Sequence, residues 1–127
     1  MKVVFWPYLA KAEMLERFAK VPGIELVQAD IRDPDLPAII RSRGPFDLVS
    51  HHAALKDVRL ALLDPRADAD VNVLGTLNVI RAAVDAGAGR LTFASSAAVY
   101  GDPPSFPTDE DAPIVPISPY GIGKYAG

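Results

Sequence analysis

The chain has 127 residues, half of them hydrophobic, with 13 basic and 16 acidic side chains, a formal net charge of -3 and no cysteine. That length holds one domain with a modest core, and the spread, nearly balanced charge argues against a nucleic-acid or membrane-surface footprint. Without cysteine there are no disulfides and no thiolate chemistry, which fits a reducing compartment; no apolar run nears a membrane span and no signal-peptide pattern opens the chain, so cytoplasmic is the default localisation.

Lys2 to Trp6 reads as a strand stopped by Pro7, and a helix from about Leu9 to Lys20 follows, with Met14, Leu15 and Phe18 on one side. Pro22-Gly23 breaks it. Ile24 to Ala29 reads as a second strand, buried on both faces, and Asp33-Pro34 as the cap of a short helix that ends at Gly44-Pro45. Phe46 to Ser50 is a third strand running into His51-His52-Ala53-Ala54-Leu55-Lys56. Asp64-Pro65 opens the longest helix, ending near Gly87, with Val73, Leu77, Ile80 and Val84 spaced to face a sheet. Leu91 to Ala94 is the fourth strand. Alternating strand and helix predicts an α/β fold, a parallel sheet with right-handed crossovers.

The fourth strand delivers Ser95 and Ser96 at its carboxyl end, where open α/β sheets place ligands. After a loop holding five of the twelve prolines, Ser118-Pro119 reads as an N-cap with Pro at the first helical position, so Tyr120 and Lys124 share a helix face. Ser96, Tyr120 and Lys124 therefore converge. This trio suits proton transfer coupled to hydride transfer on an alcohol carbon: a phenol of ordinary pKa about 10 is a poor base until a neighbouring ammonium favours its phenolate. A Tyr-x-x-x-Lys pair alone is also common on amphipathic helices, where the Tyr packs and the Lys is solvated.

The whole pattern, Ser96 before Ala-Ala-Val-Tyr-Gly and then Ser-Pro-Tyr-Gly-x-x-Lys, resembles the extended short-chain dehydrogenase/reductases, specifically the NAD-dependent sugar-nucleotide epimerase/dehydratase group and most closely its UDP-glucose 4-epimerase branch. The resemblance runs from about Lys11 to Gly127. It implies a Rossmann-like three-layer parallel sheet, NAD as cofactor and a nucleotide-sugar substrate. It also implies hydride transfer at the sugar C4 through a keto intermediate, with Tyr120 taking the hydroxyl proton, Ser96 bonding that oxygen, and Lys124 lowering the tyrosine pKa and holding the nicotinamide ribose. The resemblance assigns Asp30 and Ile31 to the adenine and His52, Ala53, Ala54, Leu55 and Lys56 to the pyrophosphate and nicotinamide ribose, with Asn72 near the active site. Asp30 read alone is a strand-end turn residue and Asn72 a helix-surface residue. Adjacent histidines on a strand point to opposite faces, so His51 and His52 predict no metal site. Asp109-Glu110-Asp111 reads as a solvated turn.

The sequence departs from the pattern at its front, where no glycine precedes Gly23, although a dinucleotide site uses a glycine-rich turn at the pyrophosphate. Gly121, Gly123 and Gly127 follow a proline loop rather than a strand and do not replace it. Aligned by resemblance, Lys2 to Trp6 stands where the family has its second strand. The expectation is then an incomplete Rossmann-like domain of about four strands, lacking the first glycine-rich unit and the substrate-binding portion and not active as this chain alone, with Lys2 to Trp6 moved to the centre and a strand order 2-1-3-4. The competing expectation is a truncated remnant or interaction module with little NAD affinity. Family dimers commonly use the long helices, which leaves a homodimer open as a partner.

Overall fold

The computed structural model describes residues 12–127 in backbone and 16–127 in side chain. Helix α1 (Ala12–Ala19) ends before the Pro22-Gly23 turn, where Gly23 takes a φ of 80°, a conformation that costs glycine little. Residues 24–29 then run on without a strand ladder among the described residues. The partner expected for them, Lys2 to Trp6, lies outside the described residues, and so does the proposed central place for that segment.

Helix α2 (Leu36–Arg41) starts later than Asp33-Pro34 suggests. The Asp33 carboxylate bonds the Asp35 backbone N–H at 2.8 Å and makes a local turn, and Pro37 rather than Pro34 occupies the first helical turn. Strand β1 (Val49–His51) pairs in parallel with β2 (Leu91–Phe93), Val49 opposite Leu91 and His51 opposite Phe93. The bond from Ala94 N–H to the His51 carbonyl, 3.0 Å, carries the ladder one residue further. The architecture is thus α/β with a small parallel sheet, two strands among the described residues instead of about four.

Between the strands, α3 (Val58–Leu63) is a helix the sequence reading passed over; its signal was Asp57, whose carboxylate caps it on Arg59 and Leu60 N–H. The long helix expected over 64–87 is interrupted: α4 (Pro65–Ala69), a wide π-helical turn (Asp70–Gly75), then α5 (Thr76–Asp85). Asp64 caps α4 through Ala67 N–H, and Gly87, at φ 68°, closes α5.

The buried face of this helix also differs from expectation. Of the four residues expected to face the sheet, Val73 and Ile80 are half-buried and Leu77 and Val84 exposed, while Val71, Thr76, Val79, Ala82, Ala83 and Ala86 are buried. Two apolar stripes lie one residue apart in this segment, and the larger side chains mark the outer one. The smaller ones allow close approach: a Cβ on Gly75 would lie 2.6 Å from Ile31 Cδ1. The core joins Ile31, Leu36, Ile40, Val71, Val79, Ala82 and Ala86, with Phe46, Val49 and Leu91 against it.

Candidate active site

After β2 the chain turns through a 3-10 helix (Ala97–Tyr100) capped by Ser96, whose Oγ accepts from Ala98 N–H at 3.2 Å. Accepting leaves the hydroxyl proton of this half-buried serine for another oxygen. Helix α6 (Pro119–Ala126) begins as its residues predict: Ser118 Oγ accepts from Gly121 N–H at 3.0 Å and Pro119 fills the first position. Tyr120 lies half-buried in the first turn, and Lys124 one turn on is buried to 4% exposure.

The glycines of α6 serve contact rather than phosphate. A Cβ on Gly121 would stand 2.6 Å from the Ala98 carbonyl, and one on Gly123 would stand 3.2 Å from Asn72 Cβ and 3.3 Å from Asp68 Oδ2. Helix α6 is therefore pressed between the Ser96-capped turn and the α4 region. That close approach brings the segments carrying Ser96, Tyr120 and Lys124 to one end of the sheet.

Lys124 Nζ donates to the Ala94 carbonyl at 2.7 Å and lies 4.7 Å from the Phe93 ring centroid. Ser95 Oγ donates to the Lys124 carbonyl at 3.3 Å, fixing α6 to the strand end from the other direction. Burial pushes the ammonium below its usual range, opposed by the negative charge of Asp68. Asp68 is buried in turn, and burial raises its carboxyl against the lowering effects of the Asn72 amide and Lys124.

The second component is the loop after β1. His51 is buried and His52 exposed, as strand alternation requires. Ala53, Ala54 and Leu55 are half-buried and Lys56 is exposed. Asn72, in the wide turn and 1% exposed, holds the loop with both ends of its amide: its Oδ1 accepts from Leu55 N–H at 2.8 Å, and its Nδ2 donates to the Leu55 carbonyl and to Asp68 Oδ1, each at 2.9 Å. A surface role for Asn72 is corrected accordingly.

Thr76 donates its hydroxyl proton to the Asn72 carbonyl at 2.8 Å, while its own backbone N–H goes to Val73. Its oxygen must then accept from His51 Nε2–H, 2.9 Å away, which fixes the histidine tautomer. Burial, followed by the charges of Lys124 and His52, lowers His51 to about 4, so the ring is neutral at pH 7. Among the described residues no group of three or more His, Asp or Glu could hold a metal.

Asp30 and Ile31 form the third component. The Asp30 carboxylate accepts from the Arg32 backbone N–H and from Nε and Nη2 at 2.8, 3.0 and 2.7 Å, and these bonds hold it below the usual carboxylate range. Arg32 reaches Asp70 of the wide turn at 3.0 Å. Ile31 is a core side chain, so only its backbone remains for a ligand. Asn78, which the sequence reading did not single out, donates both amide protons to the Ile31 and Asp33 carbonyls at 2.7 and 2.8 Å. Its signal was its position, six residues from Asn72 on the same helix. One interrupted helix thus clamps both loops assigned to the cofactor. In chemistry, a carboxylate at one loop, the backbone of Ala53 and Ala54 at the other and a lysine amine at the end of β2 suit the adenine and nicotinamide ends of NAD.

The sequence pattern of the NAD dependent epimerase/dehydratase family matches residues 2–127. Among curated relatives, UDP-glucose 4-epimerase of Mycolicibacterium smegmatis is 42% identical over 118 residues, covering 92% of this chain and 37% of that protein. UDP-glucose 4-epimerase of Streptomyces lividans is 42% identical over 110 residues, covering 85% and 33%. The chain therefore spans about a third of the length of these relatives. In solved structures, UDP-glucose-4-epimerase from Stenotrophomonas maltophila, with bound NAD and formylated UDP-arabinopyranose, superposes with a TM-score of 0.84 at 35% identity, over 98% of this chain and 38% of that one. The dTDP-glucose 4,6-dehydratase DesIV from Streptomyces venezuelae, with NAD and TYD bound, gives 0.86 at 30% identity, over 98% and 39%.

Proposed function

Because the chain belongs to the NAD dependent epimerase/dehydratase family, we propose that it carries the cofactor-side half of a sugar-nucleotide 4-epimerase site in which Ser96, Tyr120 and Lys124 act on a sugar hydroxyl. NAD, when bound, supplies the acceptor for hydride from the sugar carbon. The Tyr120 oxygen, acting as phenolate, takes the proton of the sugar alcohol and becomes the phenol, and the Ser96 proton bonds the sugar oxygen as it becomes a carbonyl. Lys124 supplies positive charge beside the phenol and toward the ribose. Asp30 and the backbone of residues 52–56 hold the two ends of the cofactor. Returning hydride to the other face of the keto sugar inverts C4.

The observation that carries this reading is the buried Lys124, fixed on the Ala94 carbonyl at the carboxyl end of β2, where the Ser96 turn and α6 meet. Titrating NAD against the purified chain while following its fluorescence tests it. Saturable micromolar binding is the expected result. No response at millimolar NAD would favour the second reading, a remnant that keeps family ancestry without the cofactor. In a preparation that turns over, Tyr120→Phe should abolish turnover and leave the melting temperature unchanged; retained turnover would remove Tyr120 from its role.

The homodimer has separate support in Leu74, Leu77 and Val84, which the long helix leaves exposed. Sedimentation should show concentration-dependent association that Leu77→Glu abolishes. A monomer at all concentrations would end this proposal.

A further inference from the structure

Asp68 is the one buried polar side chain among the described residues with an atom left unpartnered. It is 2% exposed, its Oδ1 accepts from Asn72 Nδ2, and its Oδ2 has no hydrogen-bond partner among the described residues. A buried carboxylate oxygen without a partner is costly unless a charge compensates it. The unpartnered atom faces α6, 3.3 Å from where a Cβ on Gly123 would lie, next to Lys124 in the chain. Lys124 is itself buried, and its short hydrogen bond goes to a neutral carbonyl.

We propose that Asp68 is the positioning residue of this site: with one carboxylate oxygen it orients Asn72, and through it the loop of residues 52–56, and with the other it supplies the counter-charge to the Lys124 ammonium. The opposed effects of the two groups on each other's protonation agree with this arrangement. His51 of β1, whose ring feels the Lys124 charge, is neutral, and among the elements packed on α6, α3 carries Arg59 at the surface, paired with Asp57. The wide turn commits Asp70 to Arg32, and the 3-10 helix carries no charged residue. Among the described residues, Asp68 is thus the anion available to Lys124. A simpler account makes Asp68 an ordinary acid in the first turn of α4, acting on the helix dipole alone.

The two roles separate in two variants. Asp68→Asn keeps an oxygen for the Asn72 amide and removes the charge, whereas Asp68→Ala removes both. In the full chain labelled with 13C at lysine Cε, Asp68→Asn should lower the Lys124 titration midpoint by roughly one pH unit while leaving Lys56 and the Leu55 amide resonance in place. Asp68→Ala should lower the same midpoint and also shift the Leu55 amide. An unchanged Lys124 midpoint in Asp68→Asn, or an unmoved Leu55 amide in Asp68→Ala, would overturn the proposal. Should either variant not fold, Lys124→Met gives the reciprocal reading, since linkage requires the Asp68 carboxyl midpoint to rise when the ammonium is removed; no rise would overturn the pairing. The catalytic consequence rests on the role given to Lys124 above. The titration does not, so failure to bind NAD and failure of the pairing are distinct results.

Discussion

Lys124 is an ammonium in a place where lysines are seldom found, under 5% exposed, held on the carbonyl at a strand end and over an aromatic ring. Its spacing from Tyr120 was readable in the sequence because a helical period puts residues four apart on one face. Its burial was not, because that depends on glycines at 121 and 123 meeting chain segments about 20 to 55 residues away. His51 makes the same point in its pH behaviour. The folded ring is held near 4 against an ordinary 6.5, so the unfolded chain takes up the proton first as pH falls. The contribution of His51 to stability should therefore be constant above about pH 6.5 and decline between 6.5 and 4, by at most about 3 kcal/mol. Urea denaturation across that range tests this: His51→Asn should flatten the decline, and an identical pH profile in the variant would rule out His51 as its source.

At the scale of the element, the interrupted helix 65–85 is the organising piece. Asn72 and Asn78 each place an amide on the backbone of a distant loop, at Leu55 and at Ile31 and Asp33. Removing the side chain of Asn78 strands two carbonyls and should loosen the adenine-side turn alone. With NAD binding in hand, Asn78→Ala is expected to weaken AMP by roughly tenfold, the loss of about 1–2 kcal/mol, and to leave nicotinamide mononucleotide unaffected. Equal loss for both ligands would show a general structural effect instead. Gly75→Ala should destabilise the fold by roughly 1–3 kcal/mol in thermal melts, since its Cβ meets Ile31 in the core; an unchanged melting temperature would mean that Ile31 is free to move. The sequence placed this helix by Asp64-Pro65 and Gly87 but put Leu77 and Val84 on its inner face, because hydrophobicity favours them over Ala82 and Ala83.

Across the whole molecule, no helix among the described residues is long and apolar enough to cross a membrane. The sheet pairs residues about 40 positions apart in parallel, and the helices between them carry the connection. The sequence by itself determined the α/β class, the two strands that pair, the caps at Asp64 and Ser118, and the helical spacing of Tyr120 and Lys124. These are local matters, set by period, turn chemistry and residue spacing. Only the tertiary structure decided which helix face is buried, that Asn72 and Asn78 are clamps, and that Asp68 lies beside α6 with an oxygen unpaired. Each of those facts arises where two distant segments approach closely enough for one side chain to complete the hydrogen bonding or charge of the other, and no short window of sequence contains both partners.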